Sequence, residues 1–249
     1  MGQSLFRAWA GWTAFCGELF LAATGHAHAD FASDKIGAAA MGAAAMGAAA
    51  IGAAANTRRG VLVHGIHDSA RSMRWMKRRL EARGWIVWAI TLTPSDGSVP
   101  FEVMARQLDQ FIAGNIPAHE KLDLVGFSMG GLVCRYYVQK LGGWKRVRRF
   151  VTISTPNHGT IWAWLSGRAA VRQMRPGSPM LRELNADAAR LAPLHYTSIY
   201  TPLDLTIIPA VSSRMPAARN LAVWIPLHHF MVMMPGPAEA VERALEAPP

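Results

Sequence analysis

The sequence predicts an α/β fold, a mostly parallel sheet with helices on both faces. Three observations carry this: short runs apolar at nearly every position, amphipathic segments between them, and a glycine-flanked serine where one such run meets one such segment. A continuously apolar run marks a strand buried on both faces, and strands alternating with helices imply right-handed crossovers and parallel pairing. In such sheets ligands bind beyond the carboxyl ends of the strands, so the residues just after each run are the place to seek chemistry.

Residues 61–63, Val-Leu-Val, read as the first strand, with ordered structure beginning near Gly60. Residues 72–83 follow as a helix with Met73, Met76 and Leu80 on one face, and residues 85–91 as the next strand. Pro100 suits the first turn of a helix, along which Met104, Leu108, Phe111 and Ile112 recur at i, i+4, i+7 and i+8. Residues 122–127 read as a strand, 129–141 as a helix and 147–154 as a strand. Residues 196–200 and 221–225 are the last two expected strands, and a helix over 238–245 closes the chain.

The chain has 249 residues, of which 51% are apolar, enough for a sizeable core in one full-sized domain. Lys and Arg outnumber Asp and Glu by 26 to 16, a formal net charge of +10. The excess gathers at Arg71, Arg74, Lys77, Arg78, Arg79 and Arg83, and at Lys145, Arg146, Arg148 and Arg149. These read first as the solvated face of a helix and the approach to a strand, and second as attraction to an anionic membrane surface. Nucleic acid is not expected, because no zinc spacing or aromatic RNA-binding motif accompanies the charge. Cys16 and Cys134 make neither a disulfide framework nor a metal-ligand spacing, so neither is given a chemical role.

The first 57 residues differ in kind from the rest. Residues 5–23 are mostly apolar, Arg7 lies ahead of most of the run, and Ala27-His28-Ala29 has the A-x-A form. This resembles a secretory signal peptide cleaved after Ala29, which predicts export to the periplasm or the medium, or membrane anchoring if the segment stays. Residues 36–55 repeat a five-residue Gly/Ala-rich unit four times, a period that gives no helical stripe and reads as a low-complexity spacer. The expected organisation is therefore a leader or anchor at 1–29, the repeat at 30–57 and a catalytic domain at 58–249.

Gly126-Phe127-Ser128-Met129-Gly130 is G-x-S-x-G between a strand and a helix, the setting in which this pattern forms a strained turn that presents the serine hydroxyl. Glycine is needed where a Cβ would strike the neighbouring backbone. The helix N-terminus leaves free N–H groups that favour developing negative charge. His64-Gly65 follows the first strand, and Gly65 lets the chain turn so that the Ile66 N–H faces the site. With the Met129 N–H it makes a candidate oxyanion hole, while His64 itself reads as structural. A serine nucleophile needs a base, and the base an orienting acid, in the order Ser, acid, His in this setting. Asp204, in a strand-end loop, is preferred to Asp187, in a helical surface stretch. After Asp204 the histidines are His228 and His229, both just beyond the last strand, and spacing does not separate them.

These residues resemble the bacterial lipases and esterases of the α/β-hydrolase superfamily, from Val61 to about Val241. Val61-Leu62-Val63-His64-Gly65 looks like the oxyanion strand, and Ser128-Met129-Gly130-Gly131 like the elbow of lipases. Thr155-Pro156-Asn157-His158-Gly159-Thr160 is similar to the T-P-x-x-G-[ST] segment that follows the next strand. Tyr200-Thr201-Pro202-Leu203-Asp204 looks like the acid loop, and Leu227-His228-His229-Phe230-Met231 like the base loop. The resemblance points to His228 as the base, with His229 as the alternative, and implies ester hydrolysis through an acyl-enzyme on Ser128 without a cofactor or metal. The N-terminal repeat has no counterpart in this pattern. Residues 161–195 fall where such enzymes often carry a cap. Ile161, Trp162, Trp164 and Leu165 there suit an acyl chain or lipid surface if exposed, or an ordinary buried helix face if not. Readings kept beside ester hydrolysis are an acyltransferase, a phospholipid or lipid-anchor deacylase with the same triad, and a non-catalytic membrane-tethered binding protein.

Overall fold

The computed structural model describes residues 57–247, so the apolar leader, Cys16 and the Gly/Ala repeat lie outside the described residues. Six strands, β1 (Arg58–Val63), β2 (Trp85–Ile90), β3 (Leu122–Phe127), β4 (Val147–Ile153), β5 (Tyr196–Tyr200) and β6 (Arg219–Ala222), form one sheet. Their order is β2-β1-β3-β4-β5-β6, and every neighbouring pair is parallel. The helices are α1 (Arg74–Glu81), α2 (Phe101–Asn115), α3 (Met129–Lys140), α4 (Ala169–Gln173), α5 (Pro179–Ala186) and α6 (Pro235–Glu246).

The two-residue period of a strand divides the core. Val61, Val63, Leu122, Leu124 and Phe150 pack on one side with Met104, Leu108 and Ile112 of α2 and Leu132 and Val133 of α3. Leu62, Val125, Phe127, Val151 and Ile153 face the other side, with Met76 and Leu80 of α1 and Ala238 and Val241 of α6. The central strand β3 is buried throughout, so its residues are apolar or glycine except Asp123, whose carboxylate is held by Arg148 and the Trp85 indole.

Strand β1 starts earlier than the apolar run suggests. Arg58 and Arg59 belong to it because the Arg58 guanidinium lies 4.1 Å over the Trp85 ring and Arg59 pairs with Glu120 at 2.6 Å. At the other edge β6 is shifted from 221–225 to Arg219–Ala222. Pairing begins opposite Thr197 and closes with Val223 N–H to Tyr200 O at 2.8 Å, so the reach of β5 sets the bounds, not hydropathy. Helix α6 opens at Pro235, three residues before the expected start, with proline in its first turn.

The basic clusters are partly internal. Arg79 and Arg83 both pair with Glu242 of α6, at 2.6 and 2.9 Å, clamping α1 to α6. Arg148 makes a two-point contact with the fully buried Asp123, and Arg149 donates to Ala247 O. These side chains are structural ties, whereas Arg71, Arg74 and Arg78 remain exposed.

Candidate active site

Ser128 stands between β3 and α3 with φ +52° and ψ −123°, a conformation that side-chain-bearing residues rarely adopt. Its surroundings explain how it is held. The Ser128 N–H donates to Ile153 O at 2.8 Å, and the Gly131 N–H returns to Ser128 O at 3.0 Å. A Cβ on Gly126 would lie 2.6 Å from the Gly131 Cα, and one on Gly130 would collide with the carbonyl oxygens of Val63 and His64. Close approach of backbone to backbone is what the motif's glycines allow here.

The loop after β1 closes on the serine from the side. A Cβ on Gly65 would sit 3.2 Å from the Ser128 Cβ. His64 is fully buried and bound at both ring nitrogens: Nδ1–H donates to Gly65 O at 2.7 Å and Nε2 accepts from the Leu92 N–H at 3.0 Å. Burial holds its pKa below the ordinary range, so His64 is a neutral brace for this loop. Met129 is the first residue of α3, where the N–H has no acceptor within the helix.

Asp204 follows β5 and His228 follows β6, and the structure brings them together. His228 Nδ1–H donates to Asp204 Oδ2 at 2.8 Å, and both side chains are buried. The other carboxylate oxygen accepts the N–H groups of Thr206 and Ile207, each at 2.9 Å. Burial alone would raise the Asp204 pKa, but the imidazole and the two N–H groups outweigh it and hold the carboxyl below its ordinary range. His228 Nε2 is buried without a hydrogen-bond partner among the described residues. The ring is set against the elbow by Phe127, the residue before Ser128, whose ring centroid lies 4.9 Å from that of His228.

The alternatives fall elsewhere. His229 meets the Phe127 ring edge-on at 5.9 Å and makes no hydrogen bond to a carboxylate among the described residues. Asp187 caps the end of α5 and pairs with Arg190 and Lys140. Cys134 is buried in α3, and burial drives its thiol pKa well up, so it is inert.

A narrow cavity of about 30 Å³ opens beside the serine, lined by Ile66, Ser128, Trp162, Met174, Thr206 and Ile207 among others. Residues 161–195 fold into a 3₁₀ turn (Ile161–Leu165), α4, α5 and a second 3₁₀ turn (Ala188–Leu191), of which the first turn and α4 with Met174 after it supply Trp162, Ala163, Val171 and Met174 to the wall. The tryptophans of the first turn are not buried as in an ordinary helix face, and Trp164 is 61% exposed. Among the described residues no cluster of three or more His, Cys, Asp and Glu side chains is arranged to hold a metal ion.

Four residues that hold the site together were not singled out in the sequence. Phe127 reads in sequence as one more apolar strand residue. The Thr206 and Ile207 N–H groups had a usable signal, since an aspartate that accepts N–H groups two and three residues on is a recurrent turn. Arg135 of α3 is a fully buried cation, its pKa pushed down to about 10 by that burial. It donates to Asn157 at 3.3 Å and to Asn185 Oδ1 at 3.0 Å, bracing the segment after β4.

The comparisons agree with this architecture. Lipase BlEst2 of Bacillus licheniformis in its mature form superposes with a TM-score of 0.57 at 17% identity, over 75% of this chain and 89% of that one. A bromoperoxidase from Bacillus anthracis gives 0.60 at 14%, over 77% and 93%. Lipase B of Aspergillus fumigatus gives 0.56 at 19%, over 67% and 44%. At such identities the likeness establishes the α/β-hydrolase fold. A family model, palmitoyl protein thioesterase, matches residues 60–202, which includes Ser128 and the loop after β1 and stops just short of Asp204. That match spans more than half of the chain, and the protein belongs to the palmitoyl protein thioesterase family of α/β-hydrolases.

Proposed function

We propose that the protein is a serine hydrolase that cleaves carboxylic acyl esters, oxygen or sulfur, through an acyl-enzyme on Ser128. The observation that carries this is the Asp204–His228 pair. The carboxylate fixes Nδ1 as the protonated nitrogen, which leaves Nε2 as a lone-pair base, buried and without a hydrogen-bond partner among the described residues, on a ring packed against the residue next to Ser128.

In the reaction His228 Nε2 takes the Ser128 proton as Oγ attacks the acyl carbonyl. The Ile66 and Met129 N–H groups receive the oxyanion, a contribution of about 3–4 kcal/mol for each donor of this kind. Asp204 steadies the imidazolium. The imidazolium then protonates the leaving alcohol or thiol, the acyl group stays on Oγ, and a water deprotonated by Nε2 releases the acid. Residues 161–195 act as a cap. The cavity beside Ser128 is small, about 30 Å³, so an acyl chain is admitted as the side chains of Trp162 and Met174 in its wall move aside.

The test is hydrolysis of p-nitrophenyl esters and matched thioesters across acyl-chain lengths, by the full chain and by Ser128→Ala. Turnover by wild type alone supports the reading, and the preferred chain and leaving atom define the substrate. A folded wild type as silent as Ser128→Ala throughout both series contradicts it. Export or anchoring through residues 1–29 belongs to the same proposal, and finding the chain only in the cytoplasmic fraction contradicts that part.

A further inference from the structure

The exposed apolar side chains of this molecule are not scattered. Of the ten large ones among the described residues, Ile86, Val103 and Trp144 lie elsewhere, and the other seven sit on loops beyond the carboxyl ends of β4, β5 and β6. Trp224, Leu205 and Trp164 are 70%, 62% and 61% exposed. That is the end of the sheet that holds Ser128, Asp204 and His228.

Hydrogen bonds make these loops one surface. The Trp162 indole donates to Leu205 O at 2.8 Å, and the Ile161 N–H donates to Ile208 O at 3.0 Å. Thr201 Oγ1 donates to Ile225 O at 2.6 Å, which sets the Pro202–Leu203 turn beside Trp224. Trp162 also lines the cavity at Ser128, so the apolar surface runs directly into the site.

The border of this surface is cationic. The Arg175 guanidinium lies 4.6 Å over the Trp164 ring, and Arg172 is exposed beside it. Ala170 N–H donates to Gly97 O and His67 N–H to Ser95 O, which joins the cap through the loop after β2 to the loop after β1. From there an open groove of about 510 Å³ runs along α1, lined by Arg71, Arg74, Lys77 and Arg78 and by a single carboxylate, Glu81, which pairs with Lys77 at 3.4 Å. Arg71, Arg74, Arg78 and Arg172 form no ion pair among the described residues, whereas Asp204 is buried and Asp96 pairs with Arg168. An apolar plateau holding three tryptophans, with cations on its margin, matches the layered chemistry of an anionic bilayer: hydrocarbon at the centre, phosphate around it.

We infer that the mouth of the site is a docking surface for an anionic lipid bilayer. Ile161, Trp162, Trp164, Leu203, Leu205 and Trp224 enter the interface, and the arginines of the α1 groove and α4 meet headgroup phosphates. This deepens the acyl-hydrolase reading and rests on it for its purpose: an acyl chain passes from the bilayer to Ser128 without crossing water.

The experiment compares the full chain with the double variant Trp164→Asp/Trp224→Asp. Both changes fall on exposed side chains outside the cavity lining. Both proteins keep residues 1–56, so their difference reads the mouth. Flotation uses vesicles of phosphatidylcholine alone or with about 30% phosphatidylglycerol. The expected result is wild-type partitioning about tenfold stronger onto the anionic vesicles, and a fall of about tenfold or more there for the double variant. Hydrolysis of soluble p-nitrophenyl butyrate, run in parallel, is expected to differ by less than about twofold between the two. Equal partitioning of wild type and variant, or no anionic preference, overturns the docking surface. A wild type that stays off both vesicles also overturns it and leaves the plateau to a protein partner. A wild type that floats as predicted yet hydrolyses no ester sinks the hydrolase reading and leaves the docking surface standing.

Discussion

The two halves of the proposed machinery are held in different ways. The serine sits at the middle of the sheet, on the wholly buried strand β3, in a turn whose neighbours are backbone atoms of β1 and α3. The acid and base hang beyond β5 and β6 at one edge, where β6 has no fully buried residue. There a carboxylate, two N–H groups and the Phe127 ring do the holding. Damage to the two halves therefore shows in different ways. Errors in the elbow are felt as lost fold, because there is no room for an atom. Errors in the acid–base half are felt as lost chemistry on an intact fold.

The strongest break of this contrast is sought at Gly130. Gly130→Val forces side-chain atoms into the carbonyls of β1 and its loop and is expected to cost more than about 4 kcal/mol, read by urea unfolding or by failure to accumulate. Full stability of this variant would remove the contrast. At the edge, His228→Gln is expected to lower kcat/KM on a p-nitrophenyl ester by about 10³-fold or more while unfolding shifts by less than about 1 kcal/mol. His229→Gln, which carries no carboxylate bond, is expected to stay within about threefold. The reverse ranking would move the base to His229.

Asp204→Asn sharpens the electrostatic part, with an expected loss of about 10²–10⁴-fold in kcat. Its sign in acid follows from the depressed pKa. A carboxyl held below its ordinary 3.8 stabilises the fold above that value, and the contribution disappears as pH falls through the depressed pKa. Urea unfolding of wild type is therefore expected to weaken below about pH 4 more steeply than that of Asp204→Asn. Identical acid slopes would contradict the assignment. The smallest effect belongs to the cavity: Met174→Ala opens the wall beside Ser128 and is expected to favour longer acyl chains by a few-fold, about 1 kcal/mol, in a chain-length series.

The same contrast governs what the sequence made legible. Strand β3 coincides with the run at 122–127, apolar or glycine but for Asp123, because it is buried on both faces, and β5 coincides with 196–200 although Thr197 and Ser198 stand among its apolar residues. The elbow was legible because its glycines answer to steric exclusion, a local rule. The edge was less so: β6 took its bounds from its partner, and spacing left His228 and His229 level until the family resemblance favoured His228, the one whose Nδ1 lies 2.8 Å from Asp204. Arg135 and Phe127 were missed for a related reason, since their roles depend on what a distant loop brings to them. Domain organisation ahead of residue 57 rests on composition alone.

In the proposed mechanism His228 and Asp204 activate Ser128 and no other serine. A fluorophosphonate probe reacts with an activated serine and leaves a stable adduct, so the most direct measurement is peptide mapping of the labelled full chain by mass spectrometry. One adduct is expected, on the peptide containing Ser128, formed at least about 10²-fold more slowly in His228→Gln and at an unchanged rate in His229→Gln. Labelling at another serine, or at Ser128 with the same rate when His228 is replaced, would contradict it.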